Sequence, residues 1–467
     1  MATSLSPLKI SDNQRFLVRD DGIPFFYLGD TCWLLFHRTT REEADLYLED
    51  RATKRFNVIQ ACLMGALAPR HGEAGGLGPN KYGEAIFHDG DPAQPNENFF
   101  EHVDYIVDKA ERLGLYLCLL PTWGHIYISG VMGPRVFHPA NARSFGEWLG
   151  RRYQSRNHIL WALGGDTLPN WQDEDLRPVY RAMAEGLRAG HGGRHLMTYH
   201  PRGHGYTSST WFHDEPWLDF NMMQTGPTRN YPNYKVIAGD YAKSPPKPCF
   251  DGEPGYERSH PEVDPTQPRL DGHEIRKYAY WAVFSGAMGH TYGCLEVWQM
   301  WTPAYPPASW AAIPWMEALD LPGAFQMQHL RRLVESRPYL TRIPDDAIVA
   351  EGQDFLVQLQ GLSATKGLKE HEGSHIAATR DSDGSYAFVY IPIGQPVVIR
   401  MDAISGPKAK AWWFDPRQGT ATSIGEFPTT GVQRFTPPTL GFGCDWVLVL
   451  DDAARGFPAP GTGQVAR

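Results

Sequence analysis

The sequence predicts an α/β protein: a (β/α)8 TIM barrel followed by a small antiparallel β-sandwich. Two observations predict the barrel. Eight short apolar runs recur between residues 25 and 300, and amphipathic segments with helical spacing separate them. Runs that are apolar without clean alternation are typical of strands buried on both faces, as in a parallel sheet. After about residue 350 the pattern changes to short strands separated by turn residues, which predicts the sandwich.

The eight runs are expected to form the eight barrel strands in chain order. They are FFYLGD (25–30), NVIQACLM (57–64), LYLCLLPTW (115–123), HILWALGGD (158–166), LMTYHP (196–201), FNMMQTG (220–226), CFDGEP (249–254) and GHTYGCLEVW (289–298). Between them, segments such as TREEADLYLEDRATKRF open with a threonine cap and two glutamates, which favours a helix start. A doubly wound open sheet is the alternative, but its glycine-rich phosphate loop after the first strand is missing.

The domain boundary is predicted at residue 350. Residues 1–350 are expected to form the barrel, with an N-terminal strand region at 1–24, and residues 351–467 the sandwich. Long insertions rich in Gly, Pro and His follow the second and third strands, at 65–98 and 124–145. The loops that follow the carboxyl ends of the strands build the active-site face of such a barrel. Both insertions are therefore expected to shape the site.

Composition excludes several classes of partner. The 467 residues include 44 basic and 53 acidic side chains, a formal net charge of −9, and no basic block, so no nucleic-acid partner is expected. No apolar run approaches the ~20 residues of a membrane helix, so no membrane partner is expected. The N-terminus has no charged region followed by an apolar one, which predicts a cytoplasmic protein, or a periplasmic or secreted one if the chain has been shortened. The six scattered cysteines, without a CxxC pair, are interpreted as reduced buried thiols.

Two predicted strands end in carboxylates. Asp166 follows the fourth strand in GGD, and Glu253 follows the seventh in DGEP. Carboxylates that face each other across a barrel mouth suit glycoside hydrolysis: one acid protonates the departing oxygen, and the other attacks the anomeric carbon or activates water. We expect Asp166 to be the acid/base and Glu253 the nucleophile. Taken alone, either motif is also compatible with a turn or a helix cap.

The other predicted strand ends supply candidate substrate-binding residues. Tryptophans there can stack on a sugar ring, although core packing explains each of them equally well. Glu296 is also a rival for the role of catalytic carboxylate. The candidates in chain order are Asp30, Trp33, Trp123, His125, His200, Gln224, Tyr292, Glu296 and Trp298.

Metal-dependent chemistry is the weaker hypothesis, and no metal or cofactor is expected. HEGSH at 371–375 matches the H-E-x-x-H zinc-protease pattern, but its Gly-Ser centre and β-rich surroundings do not favour the helix that this motif requires. Two alternatives to a two-carboxylate glycosidase stay open. One is a metal-dependent barrel hydrolase that uses His125, His200 and aspartates, and the other is a carbohydrate-binding protein on a catalytically silent barrel.

Several motifs taken together resemble one family. The apiosidase-like bacterial hydrolases of glycoside hydrolase family 140 are similar to this chain in PFFYLGDTCW, REEADLYLEDRATKRFNVIQ, ILWALGGD, DFNMMQTG, DGEPGYE and GHTYG. The region around AWWFDPRQG resembles the C-terminal domain of that family, often labelled collagen-binding. The resemblance covers nearly the whole chain. It implies a (β/α)8 barrel that releases β-linked apiose, a branched furanose, from the pectic polysaccharide rhamnogalacturonan II, with Asp166 and Glu253 as the essential carboxylates.

Overall fold

The computed structural model describes residues 4–67, 78–131, 133–171, 173–353 and 372–463. Its larger part is a barrel of eight parallel strands surrounded by helices, which confirms the predicted fold class. Each strand overlaps one of the eight apolar runs. The strands are β1 (Tyr27–Thr31), β2 (Val58–Cys62), β3 (Tyr116–Leu120), β4 (Ile159–Thr167), β5 (Met197–Pro201), β6 (Asn221–Gln224), β7 (Cys249–Glu253) and β8 (Gly289–Tyr292).

The barrel sheet closes through side-chain and backbone contacts between β5 and β6. Hydrogen-bonded neighbours run in the order β5-β4-β3-β2-β1-β8-β7-β6, and a short strand, Tyr206–Thr207, pairs antiparallel with β6. Across the gap, the Asp219 N–H donates to the Met197 carbonyl at 2.8 Å, and an Asp219 carboxylate oxygen accepts from the Met197 N–H at 2.7 Å. The ring of strands is therefore nearly complete.

Within the described parts of the barrel, eight helices follow the strands in alternation. They are α1 (Arg41–Thr53), α2 (Glu97–Arg112), α3 (Pro139–Tyr153), α4 (Arg177–His191), α5 (Ser209–Phe212), α6 (Asn233–Tyr241), α7 (Gly272–Phe284) and α8 (Pro322–Glu335), with one-turn helices at Leu35–Arg38, Gly124–Tyr127, Leu295–Trp298 and Trp315–Ala318. α1 begins at its predicted cap, where Thr40 Oγ1 accepts from the Glu43 N–H and Glu43 Oε2 accepts from the Thr40 N–H. No helix among the described residues has the length and apolar character needed to cross a membrane.

The barrel interior fixes the end of β7. All five residues of β1, β2 and β3 are buried, as expected of strands covered on both faces. Gln60 of β2 reaches across the interior, and its Nε2 donates to the Gly252 carbonyl at 2.8 Å. Because Gly252 immediately precedes Glu253, this contact holds the carboxyl end of β7 in place.

The C-terminal region folds into two antiparallel sheets, as predicted. One has six strands in the order β9-β11-β12-β17-β14-β15, and the other has three in the order β10-β13-β16. The strands are β9 (Arg342–Pro344), β10 (Val349–Glu351), β11 (Ala377–Asp381), β12 (Tyr386–Ile391), β13 (Val397–Arg400), β14 (Lys408–Asp415), β15 (Thr420–Pro428), β16 (Val432–Phe435) and β17 (Trp446–Asp452). β9 already pairs with β11, so the C-terminal sheets begin before the boundary predicted at residue 350.

The sandwich packs directly on the barrel helices. The Arg276 guanidinium of α7 forms two hydrogen bonds with the Asp445 carboxylate, at 2.9 and 2.7 Å, and both side chains are buried. Tyr280 of the same helix stacks on Tyr390 of β12 with ring centroids 4.7 Å apart. At the N-terminus, three short strands, Leu8–Ile10, Leu17–Arg19 and Pro24–Phe25, form a separate antiparallel sheet.

Only part of the HEGSH motif can be placed. His371 lies outside the described residues. His375 stacks face to face on Tyr234, with ring centroids 3.7 Å apart, and its backbone carbonyl accepts a hydrogen bond from the Trp281 indole. His375 therefore packs against the barrel helices.

Candidate active site

A cavity opens at the carboxyl ends of the barrel strands, and its wall includes residues at or after the ends of β1, β3 and β8 as well as of β4 to β7. Its volume is about 310 Å³, near the lower end of the range of about 300–1,000 Å³ that is usual for ligand pockets. Six residues predicted from the sequence lie on its wall, and both carboxylates are among them. These six are Trp33, Trp123, Asp166, Gln224, Glu253 and Trp298.

The end of β4 turns through two glycines to present Asp166. Gly164, Gly165 and Asp166 have φ angles of +93°, +103° and +49°. A Cβ on Gly164 would lie 2.2 Å from the His200 carbonyl oxygen, and one on Gly165 would lie 2.9 Å from Trp123 Cα. Only glycine fits at these two positions, and the non-glycine Asp166 is held in the left-handed region that bulkier residues rarely adopt.

His200 links the two carboxylate-bearing strand ends. The Asp166 backbone N–H donates to His200 Nδ1 at 3.1 Å, and His200 Nε2 lies 2.7 Å from Glu253 Oε2. Because a backbone N–H can only donate, Nδ1 is the unprotonated nitrogen, and the ring proton is on Nε2. His200 thus donates a hydrogen bond to the Glu253 carboxylate.

The two carboxyl groups differ in their surroundings. Burial, with the charge of Glu253 as the next contribution, raises the pKa of Asp166 to about 6, and His200 and Arg202 oppose that rise. Glu253 instead accepts the hydrogen bond from His200, and 17% of its side chain is exposed. An acid with a raised pKa and a second carboxylate on the same cavity wall are the two groups that glycoside hydrolysis requires.

The support behind Glu253 is a second, fully buried carboxyl group. Asp251 Oδ2 accepts from Thr225 Oγ1 at 2.5 Å and from Asn233 Nδ2 at 3.0 Å. Burial raises the pKa of Asp251 to about 7. The Glu253 carbonyl in turn accepts from the Thr225 and Gly226 N–H groups, so the loop after β6 is tied to the end of β7.

Two indoles enclose His200 at the closed end of the cavity. The Trp33 ring meets the imidazole edge-on with centroids 5.2 Å apart, and the Trp123 ring lies 5.6 Å away. The two indoles also pack edge to face at 5.1 Å. Both are almost fully buried, with exposed fractions of 2% and 6%, so they form a rigid apolar floor beneath the carboxylates.

Three predicted substrate-binding residues point elsewhere, and the structure corrects their assignment. Asp30 is fully buried on the side of α1, where Arg51 Nε donates to its Oδ2 at 2.7 Å. Tyr292 is fully buried and donates its hydroxyl to Glu257 at 2.6 Å. Neither the Asp30 nor the Tyr292 side chain is on the cavity wall.

Glu296 is the third corrected residue. β8 ends at Tyr292, and Glu296 and Trp298 lie on the one-turn helix Leu295–Trp298, not on a strand. The Glu296 carboxylate is buried, and Arg258 Nε donates to it at 3.0 Å. This ion pair removes it from the position of a rival catalytic carboxylate.

His125 lies beside the cavity but not on its wall. Its ring packs edge-on against Trp171, with centroids 5.5 Å apart, on the one-turn helix that follows β3. Burial lowers the pKa of His125, and the nearby Arg202 guanidinium lowers it further. Among the described residues, no group of three or more His, Cys, Asp or Glu side chains is arranged to hold a metal ion.

Sequence reasoning missed several residues of the cavity wall. They lie in the loops after β5, β7 and β8, where no periodic pattern marks them. Arg202 stands two positions after His200, and that proximity was the one available signal. The missed residues include Arg202, His204, Tyr256, Ser259, His260 and Trp310.

Comparisons with known proteins agree with this geometry. The family model "Apiosidase-like, catalytic domain" matches residues 11–341, and the model "Putative collagen-binding domain of a collagenase" matches residues 344–451. A solved structure described as a glycoside hydrolase is 31% identical, covers 96% of this chain and 97% of its own, and superposes with a TM-score of 0.84. A glycoside hydrolase family 5 structure from Bacteroides vulgatus ATCC 8482 is also 31% identical, with coverages of 98% and 96% and a TM-score of 0.85. No protein with a curated description matches the chain.

Proposed function

Because the chain belongs to the apiosidase-like family of glycoside hydrolase catalytic domains, we propose that it removes a terminal, β-linked furanosidic sugar of the apiose type from a glycan. Asp166 and Glu253 are the two catalytic carboxylates. The substrate side of the proposal is supported by the family description, and the catalytic side by the geometry of the cavity.

The bridge through His200 carries the proposal. One imidazole accepts from the backbone of Asp166 and donates to the carboxylate of Glu253, so it sets the positions of both strand ends at once. Burial, together with the charge of Glu253, keeps the proton on Asp166 up to a pH of about 6. A nucleophile and an acid are thus provided without any other group.

The proposed reaction has two steps. In the first, a Glu253 oxygen forms a bond to the anomeric carbon while the glycosidic bond breaks, and Asp166 gives its proton to the departing oxygen. In the second, Asp166 takes a proton from water, the water oxygen bonds to the anomeric carbon, and the bond to Glu253 breaks. The free sugar leaves, and both carboxyl groups return to their starting states.

The size of the cavity supports action at a chain end. The cavity has a volume of about 310 Å³, and Trp33 and Trp123 close it at one end. A cavity of this size suits a single small sugar better than an internal segment of polysaccharide. Asp166 and Glu253 line the same cavity as these indoles, so the proposed reaction requires the anomeric carbon of the bound furanose to lie between the two carboxyl groups. The rest of the glycan then extends through the cavity mouth.

The test is a substrate screen with paired variants. Wild type, Asp166→Asn and Glu253→Gln are assayed on aryl furanosides, aryl pyranosides and pectic oligosaccharides. Each variant is expected to lose at least ~10³-fold in kcat, because each carboxyl group acts in the bond-breaking transition state. Asp402→Asn, at an exposed position of the helical turn after β13, and Glu426→Gln, at an exposed position of β15, are the matched controls and should leave kcat unchanged.

Two results would contradict the proposal. Near-normal turnover in either variant would remove that residue from its assigned role. A wild-type protein that binds these glycosides without hydrolysing any of them would instead be a carbohydrate-binding protein on a silent barrel.

A further inference from the structure

The mouth of the cavity carries an indole that differs from those at its closed end. Trp310 lines the cavity, yet 46% of it is exposed, against 2% for Trp33. A terminal sugar enters first and occupies the closed end, so the residue next to it in the glycan stays at the mouth. If the proposed terminal sugar binds at the closed end, Trp310 is on the leaving-group side of the scissile bond.

The backbone that presents Trp310 is strained. Ser309 and Trp310 have φ angles of +50° and +62°, in the left-handed region that bulky side chains rarely adopt. Such conformations persist only where the surroundings hold them, and they cluster at binding sites. Here Arg269 Nη2 donates to the Trp310 carbonyl at 2.7 Å, and the His260 ring meets the indole edge-on at 6.0 Å.

A buried carboxylate holds this loop to the loop after β7. Glu296 Oε1 accepts from Arg258 Nε at 3.0 Å and from the Ala312 N–H at 3.3 Å. Arg269 Nη1 donates to the Arg258 carbonyl at 2.6 Å, which connects the same network to the Trp310 backbone. Glu296 and the two arginines thus join both loops on this side of the mouth.

We propose that Trp310 is the stacking platform for the pyranose on the leaving-group side of the bond, and that Glu296 is the positioning residue that holds it there. An indole offers a flat, amphipathic surface that matches the apolar face of a pyranose ring. Its exposure in a strained, tightly held loop fits a ligand-binding role. The proposal rests on the proposed function, because it takes the closed end as the site of the terminal sugar.

The test compares two substrates that differ only in the leaving group. The leaving group of methyl β-apiofuranoside is a methoxy group, which has no ring to stack on Trp310. The leaving group of a β-apiofuranosyl pyranose disaccharide is a pyranose, which has one. Trp310→Ala is expected to lower kcat/KM for the disaccharide by at least ~10-fold, mainly through KM, and to change the methyl glycoside value by less than about twofold. Trp310→Phe keeps a ring and should retain most activity on both. Phe442→Ala, which removes an exposed aromatic side chain of the C-terminal region, is the control.

Glu296→Gln, assayed on the same two substrates, tests whether Glu296 positions Trp310. If Glu296 acts through Trp310, this variant also loses activity on the disaccharide selectively, whereas a merely structural role would reduce both substrates together. Equal losses on the two substrates in Trp310→Ala, or none on the disaccharide, would overturn the proposal.

A binding measurement separates this proposal from the proposed function. In the Asp166→Asn background, calorimetric titration with the disaccharide should show weaker binding by at least ~10-fold when Trp310→Ala is added. Unchanged affinity would overturn the stacking role without affecting the catalytic assignment. If wild type hydrolyses neither apioside, the proposed sugar is refuted, and the same comparison is made with the methyl glycoside and disaccharide of the sugar that the screen identifies.

Discussion

Asp30 and Asp166 stand at the ends of two parallel strands of one barrel, yet they have opposite surroundings. Asp30 accepts from Arg51 Nε at 2.7 Å and from the Tyr47 hydroxyl at 2.6 Å, and the ion pair is fully buried. Asp166 lies on the cavity wall, where burial, followed by the charge of the second carboxylate Glu253, raises its pKa to about 6.

The difference separates a carboxylate that holds the fold from one that is available for chemistry. A buried charge with an opposite charge at hydrogen-bond distance is neutralised, and its removal leaves the partner unpaired. A buried carboxyl group beside a like charge keeps its proton to higher pH, at a cost in stability that is typical of active sites. Asp30 is therefore expected to matter for stability, and Asp166 for turnover.

The largest expected effect on stability comes from Asp30→Asn. It removes the carboxylate that accepts from Arg51 Nε. Among the described residues, this buried guanidinium then keeps only the partly exposed carboxylate of Asp50, which accepts from Nη1 at 2.9 Å. The free energy of unfolding should therefore fall by up to about 3–5 kcal/mol. Urea unfolding followed by circular dichroism measures it. Activity per folded molecule should stay near that of wild type.

The Asp30 result has its own internal control. In Asp30→Asn the Arg51 charge is compensated mainly by Asp50, so adding Arg51→Gln removes an incompletely compensated buried charge and should recover part of the lost stability. If Asp30→Asn lowered kcat as strongly as Asp166→Asn while leaving stability intact, the contrast between the two residues would be wrong.

Asp166→Asn is expected to have the opposite effect on stability. The folded pKa of Asp166, about 6, lies above its ordinary value of 3.8, so the folded state binds more protons than the unfolded state between these pH values. Stability therefore falls as pH rises through that window, and the full deficit is present above pH 6. Removing the charge should raise the free energy of unfolding at pH 8 by at most about 3 kcal/mol.

The pH dependence of that gain is the decisive measurement. At pH 3 both forms of residue 166 are neutral, so the stabilisation should disappear there. Urea titrations at pH 3 and pH 8, with Asp402→Asn as the control, test both ends of the window. A variant less stable than wild type at pH 8 would show that the Asp166 carboxylate contributes favourable contacts that the structure does not indicate.

Sequence reasoning found the strands because burial on both faces leaves a continuous apolar run. It also predicted that Asp166 and Glu253 stand at two strand ends, and both side chains line the same cavity. Gly164 and Gly165 mark a place where β4 must approach the His200 carbonyl closely, and that requirement is local and visible in the letters GGD.

The direction of a side chain at a strand end was not visible in the same way. Asp30 and Tyr292 both stand at strand ends, but they turn toward Arg51 and Glu257, which lie far away in the sequence. Glu296 was misplaced because β8 stops at Tyr292 and a helical turn follows within the same apolar run. Trp310 lies in a loop that long-range hydrogen bonds hold in place, so no short segment could reveal it.

The smallest predicted effect concerns the charge opposite Asp166. Arg202 lines the cavity and lowers the pKa of Asp166, so Arg202→Gln should let the acid keep its proton to higher pH. The alkaline limb of the pH profile of kcat/KM is then expected to move upward by less than about one unit. Arg434→Gln, an exposed arginine of the C-terminal sheets, should leave the limb in place. A limb that stays fixed or moves downward in Arg202→Gln would mean that a group other than Asp166 supplies the proton to the leaving oxygen.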